Sequence, residues 1–403
     1  GGVNQTSAAR ICQEALTSNA GERQTGSKRK TGPKQMRHAT RGEVDPFIVM
    51  DVMEAARQAE ASGRHIIHME VGQPSTGAPA AARDKLIADM NDPLGYTVGL
   101  GLPELRARIA QHYADWYGVS LDPARVVITS GASGAFLLAF SALFDNGERV
   151  GLGTPCYPSY RQILKAVGLT PVDIPTTFDQ RFQPLPEDVA AHHLTGLIVA
   201  SPANPTGTML DASALAALAQ ACTARDAALI SDEIYHGIDY DKAPVTALEV
   251  TDDVYVVNSF SKYFSMTGWR VGWMVVPLDH VRRVERLAQN MFICAPHAAQ
   301  VAALAAMDCE EELQGNMAVY HANRDLMIAG LKDAGFTEIA PPDGAFYVYA
   351  DVSEITQDSR SFAAEVLEKA GVAVTPGLDF DPVRGHGTLR FSYARGTADI
   401  TEG

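Results

Sequence analysis

The stretch Asn258-Ser-Phe-Ser-Lys-Tyr-Phe-Ser-Met-Thr-Gly-Trp-Arg-Val-Gly272 sets a lysine among hydroxyls and aromatic rings, directly after an apolar, β-branched run. A lysine amine condenses with aldehydes, and burial or neighbouring cations lower its pKa enough to make it a nucleophile and a base. Arg270, eight residues beyond Lys262, supplies such a cation. Its planar fork also suits a phosphate, held through two parallel hydrogen bonds, and Ser259 and Ser261 add hydroxyl donors. Taken alone, Ser-x-Ser-Lys reads equally well as a polar loop, so the specificity lies in the whole stretch.

Lys262 follows one of a series of short apolar runs, at 126–129, 149–153, 197–200, 228–230, 254–257 and 271–276, which alternate with helix-like stretches. That rhythm predicts βαβ units and a largely parallel sheet covered by helices. In such sheets ligands bind outside the carboxyl ends of the strands, so chemistry belongs in the polar segments that follow each run. After residue 310 the pattern changes to a long helix, a strand in 345–350, a helix near 361–370 and a strand at 388–393, which predicts a separate α+β domain. Val49, Val52, Met53 and Ala56 recur at helical spacing and predict a helix from 45 to about Gly63. The expected division is an N-terminal arm over 1–44, a small domain from 45–75 with 311–403, and a large domain over 76–310.

A chain of 403 residues is too long for one compact core, and its 46% apolar and 20% charged residues exclude disorder throughout. The net charge of −15 argues against nucleic acid, which requires clustered Lys and Arg. Cysteines 12, 156, 222, 294 and 309 form no CxxC pair and no regular framework, so a reducing compartment is expected and neither a metal site nor a disulfide scaffold. No apolar run suits a membrane span or signal peptide, so no membrane partner is expected and the cytoplasm is the expected location. Residues 1–35 hold six Lys or Arg against two acids and read as a disordered arm or an appended extension, with a transit peptide as the lesser alternative.

The full 258–272 stretch resembles the cofactor-lysine signature of class I and II aminotransferases, pyridoxal-phosphate enzymes of fold type I. The resemblance runs from about Asp45 to Tyr393 with motifs in the expected order. It implies an α/β architecture, with a large, mostly parallel sheet flanked by helices plus a smaller α+β domain. It also implies that pyridoxal 5'-phosphate is carried by Lys262. Asp232 is similar to the carboxylate that keeps the cofactor ring nitrogen protonated, although an Asp there also suits a helix N-cap. Asn204, in Ser-Pro-Ala-Asn-Pro-Thr-Gly207, and Tyr235 match the pair that bonds the cofactor's phenolic oxygen. An Asn-Pro-Thr-Gly is otherwise a plain turn. Gly131, Ala132 and Ser133, where a strand ends and an apolar helix begins, match a phosphate cradle in which small residues expose backbone N–H groups. Tyr157 matches the ring-stacking aromatic, and Tyr96 a tyrosine that reaches the phosphate across a dimer interface. Arg390 resembles the clamp for the substrate α-carboxylate, and Gly72 the glycine whose backbone borders it.

Two departures stand out. The helix usual after the Arg390 strand is missing or cut short, and Ser133 occupies a position where acidic-substrate members often carry Lys. The implied reaction is a ping-pong transfer of an amino group from an L-amino acid to a 2-oxo acid, 2-oxoglutarate being the expected acceptor, through a Lys262 Schiff base in a homodimer. The alternatives are a C–S β-lyase or other lyase of the same fold, and, at greater distance, a non-catalytic cofactor-binding regulatory domain.

Overall fold

The computed structural model describes residues 36–336 and 338–403. The reading of residues 1–35 as an arm lies outside them. The chain divides into Gly1–Thr40 and Arg41–Gly403, and the second unit holds every element discussed below.

Its centre is a seven-stranded sheet of β1 (Val126–Thr129), β2 (Arg149–Thr154), β3 (Thr170–Pro175), β4 (Gly196–Ala200), β5 (Ala228–Asp232), β6 (Tyr255–Ser259) and β7 (Gly272–Val275), in the order β1-β7-β6-β5-β4-β2-β3. The five strands β6-β5-β4-β2-β3 pair in parallel, whereas β7 runs antiparallel to both β6 and β1. The apolar runs are continuous because both faces are covered. Val127, Ile198, Ile230 and Val257 enter one core with Phe136 and Phe140, while Val126, Leu197, Leu229 and Val256 enter the other. Alternate residues of one strand thus serve opposite cores, and each buried Val, Leu or Ile contributes about 1.5–3 kcal/mol.

Helix α1 (Ile48–Ala61) falls within the predicted span. Helix α2 (Pro103–Tyr117) packs against β1, and α3 (Gly131–Leu143) against β6 and β7. Helix α4 (Pro158–Ala166) precedes the edge strand β3.

Beyond the 24-residue helix α5 (Glu310–Asp333) lie β8 (Tyr347–Asp351), α6 (Ser359–Ala370), β9 (Thr375–Pro376) and β10 (Thr388–Ser392). These strands make an antiparallel sheet in the order β9-β10-β8; the sequence pattern marked the strands that became β8 and β10 but not β9. The final helix α7 (Thr397–Glu402) is short and packs on α5, with Ile400 buried.

Candidate active site

Lys262 leaves β6 in a loop fastened by its own hydroxyls. Ser259 Oγ and Ser261 Oγ lie 2.8 Å apart, Ser261 N donates to Ser259 Oγ at 3.1 Å, and Thr267 Oγ1 donates to the Ser261 carbonyl at 2.9 Å. Such local bonds replace ladder bonds and turn the chain inward. The Lys262 amine then donates to the Gly72 carbonyl at 2.5 Å, with the Tyr235 and Phe346 ring centroids at 5.6 and 5.9 Å. A Cβ at Gly72 would lie 1.7 Å from the Tyr347 hydroxyl, so glycine admits both neighbours at once.

Burial, then Arg390 and Arg270, bring the Lys262 pKa down to about 7, against an opposing pull from Asp232. A lowered lysine pKa favours the neutral amine, the form that attacks an aldehyde. Borohydride-trapped incorporation of pyridoxal phosphate into the apoprotein is therefore expected to accelerate up to about pH 7 and level off above it. Acceleration that continues to pH 10 would contradict this.

Asp232 ends β5, 4% exposed, and its carboxylate accepts hydrogen bonds from the Tyr160 phenol and, at 3.1 Å, from the Ile234 amide. Burial raises its pKa to about 6, with Tyr160, Ile234 and Lys262 pulling it back. Near neutral pH it is a buried anion facing the cavity. A turn rather than a helix follows it, so the capping alternative does not hold.

At the corner next to Lys262, Ser130 starts α3 without donating or accepting a side-chain cap, so first-turn amides lack a side-chain partner. Gly131 adopts φ +69°, and a Cβ there would approach the Arg270 guanidinium to 2.5 Å. Arg270 itself has φ +52°, a left-handed conformation that costs a non-glycine residue about 1–2 kcal/mol. Its Nη1 donates to the Thr267 carbonyl at 3.0 Å. A strained arginine closing on a helix N-terminus makes an anion-binding corner.

Arg390 projects from β10 between the core residues Leu389 and Phe391. Its Nη1 donates to Asn204 Oδ1 at 2.9 Å, its Nη2 to the Glu70 carbonyl and, at 3.3 Å, to Thr375 Oγ1. The guanidinium lies 4.3 Å from the Tyr347 ring centroid and 4.7 Å from that of Phe380. Its Nε is buried with no partner among the described residues. An unmet buried donor costs about 1–3 kcal/mol, which points to an acceptor brought by a ligand.

These groups surround one cavity of about 200 Å³. Gly72, Ala132, Ser133, Tyr157 and Asn204 line it, together with Asp232, Tyr235, Ser261, Lys262, Arg270 and Arg390. Three expected residues stand apart: Gly131 backs onto Arg270, Ser259 lies behind Ser261, and Tyr96 is 82% exposed on the surface. The sequence reading missed Tyr160, Thr267 and Tyr347, which also line the cavity, and the apolar wall of Phe47, Val49, Met50, Met53 and Val71. Tyr160 lies three residues after Tyr157 on the same helix-opening segment, a spacing that puts both rings on one face.

Pyridoxal phosphate fits these residues. The anion-binding corner suits a phosphate, the depressed lysine an aldehyde, the buried carboxylate a basic ring nitrogen, and the orphaned Arg390 Nε a carboxylate of substrate.

Comparison with known proteins agrees with that chemistry. The model of the family Aminotransferase class I and II matches residues 64–402. Valine–pyruvate aminotransferase of Mycobacterium tuberculosis is 48% identical over 373 residues, covering 91% of this chain and 96% of that protein. A solved protein from Silicibacter pomeroyi is 69% identical with a TM-score of 0.88, over 91% of this chain and 97% of that one. Aspartate aminotransferase of Thermus thermophilus, solved with maleate, superposes with a TM-score of 0.84 at 29% identity, over 91% and 97%. With its mostly parallel sheet, its lysine loop and these relatives, the chain belongs to the class I and II aminotransferases, the pyridoxal-phosphate-dependent enzymes of fold type I.

Proposed function

We propose that this aminotransferase moves the amino group of an aliphatic L-amino acid, valine foremost, to a small 2-oxo acid such as pyruvate. The observation that carries this reading is the cavity wall. Phe47, Val49, Met50, Met53 and Val71 present only apolar surface, and the cations lining the cavity are Lys262, Arg270 and Arg390. Each cation has one duty in this proposal, so a second substrate carboxylate finds no cation among the described lining residues of this chain. Pyruvate, which a relative's name carries, therefore replaces the 2-oxoglutarate expected from sequence.

Bound pyridoxal phosphate supplies an aldehyde and a ring that withdraws electrons from the substrate α-carbon. The Lys262 amine would hold the aldehyde of the bound cofactor, and its Nζ is the base placed to take the substrate α-proton. Asp232 holds a proton on the ring nitrogen, and Tyr160 keeps that carboxylate oriented. Arg270, the Gly131-Ala132-Ser133 turn and Ser261, with Ser259 behind it, hold the phosphate. Asn204 and Tyr235 bond the phenolic oxygen and Tyr157 covers a ring face. Arg390 and the Gly72 backbone receive the substrate carboxylate. Donor and acceptor use the cavity in turn, in a ping-pong sequence.

The proposal includes a homodimer. Tyr96 and its sequence neighbours Ile87, Met90 and Val98 are 82%, 66%, 64% and 56% exposed, apolar side chains that a second copy would cover. Tyr96 would then reach the partner's phosphate. Large and small domains divided as the sequence predicts, over 76–310 and over 45–75 with 311–403, are part of the same proposal. So is a cytoplasmic setting, which the four free cysteines among the described residues suit.

Holoenzyme assayed with valine, leucine and aspartate against pyruvate and 2-oxoglutarate decides the matter. Valine with pyruvate is expected to exceed aspartate with 2-oxoglutarate by at least about tenfold in kcat/KM. A preference for the acidic pair would overturn the reading.

A further inference from the structure

The apolar wall hangs on a helix that cannot cap itself. Phe47, at the N-cap position of α1, has no side-chain oxygen, yet Phe47, Val49, Met50 and Met53 of this segment all face the cavity. The missing acceptor comes from 330 residues away: Asp379, 5% exposed, accepts from the Ile48 amide at 2.9 Å and the Val49 amide at 3.2 Å, one oxygen each. A carboxylate there satisfies two orphan donors and meets the positive end of the helix dipole.

Asp379 closes the short turn Gly377–Asp379 after β9, where Thr375 pairs with Arg390 and takes a hydrogen bond from it. Phe380, the next residue, packs under the Arg390 guanidinium. One turn therefore touches both the arginine proposed to hold the substrate carboxylate and the helix that walls the substrate side chain. Just ahead of the segment, Asp45 is held by Gln162 and Lys165 of α4 at 3.1 and 2.7 Å, but these groups are exposed, and exposed pairs hold little. Asp379 is the buried polar anchor of the first turn, beside the apolar packing of Ala56 with Ile66, Leu367 and Ala373 further along the helix.

We propose that Asp379 is a specificity-positioning residue: by fixing the first turn of α1 relative to Arg390 it sets the depth of the aliphatic side-chain subsite. This rests on the aliphatic-donor reading above. Valine's second γ-methyl fills the subsite against the wall and depends on that setting, whereas 2-aminobutyrate, of the same reach but with one γ-methyl, depends on it less.

The test uses pyridoxal-phosphate-loaded enzyme with valine and 2-aminobutyrate as donors and pyruvate as acceptor, reading alanine formation. Asp379→Ala is expected to raise the KM for valine about 10-fold while kcat stays within about 2-fold and the KM for 2-aminobutyrate moves less than about 3-fold. Asp379→Asn, which keeps one acceptor oxygen, is expected to raise the valine KM about 3-fold. It carries the test should the alanine variant fail to fold. A purely structural role would lower the active fraction and leave both KM values in place. An unchanged valine-to-2-aminobutyrate KM ratio in either folded variant overturns the inference. Wild-type enzyme that turns over neither donor instead sinks the aliphatic reading, and this inference with it.

Discussion

Lys262→Ala is expected to reduce turnover by at least about four orders of magnitude and to abolish borohydride fixation of pyridoxal phosphate to the chain. The change deletes an amine that donates to the Gly72 carbonyl and is held near neutrality by burial beside Arg390 and Arg270. No other lysine lines the cavity among the described residues. The variant should still fold, because a buried cation beside two arginines is a burden on stability, and its removal relieves repulsion. Retained fixation, or activity within about tenfold of wild type, would place the covalent chemistry elsewhere.

Asp232→Asn is expected to lower kcat by about 10²–10³ while pyridoxal phosphate remains fixable by borohydride, which separates this role from that of Lys262. Asparagine preserves the shape and one acceptor for the Ile234 amide, but removes the negative charge that Tyr160 orients. The same change has a second sign to check. Asp232 is the influence that raises the Lys262 pKa, so its neutralisation should move the midpoint of pyridoxal-phosphate capture by the apoprotein below about 7. A kcat within about threefold of wild type would remove Asp232 from the chemistry.

Much of this arrangement was legible in the chain. The runs that became β1, β2, β4, β5 and β6 are mostly apolar, and in β1, β4, β5 and β6 successive residues enter opposite cores, so buried strands follow from composition. Strand β3, Thr-Pro-Val-Asp-Ile-Pro, was not seen, because two prolines read as loop; it is tolerated as an edge, where ladder donors are dispensable. Lys262, Asp232 and Arg390 carried signals in their flanking motifs. Tyr160 carried only its spacing from Tyr157, and Tyr347 and Asp379 carried none: a phenol or carboxylate acquires its meaning from partners 72, 112 and 331 residues away. The reversed direction of β7 was equally hidden, since an apolar run has no arrow.

That reversal matters for how the cavity was assembled. In a wholly parallel sheet only the exits of strands reach the ligand rim, and each strand offers one loop there. Because β7 enters where its neighbours leave, Arg270, two residues ahead of it, arrives at the same rim as the departing ends of β1 and β6. Were β7 turned round, that guanidinium would start from the far edge, four residues or about 13 Å away. A single backward strand thus gives this rim an incoming strand as well as outgoing ones, and a lysine and an arginine only eight positions apart become neighbours in space rather than tenants of opposite shores.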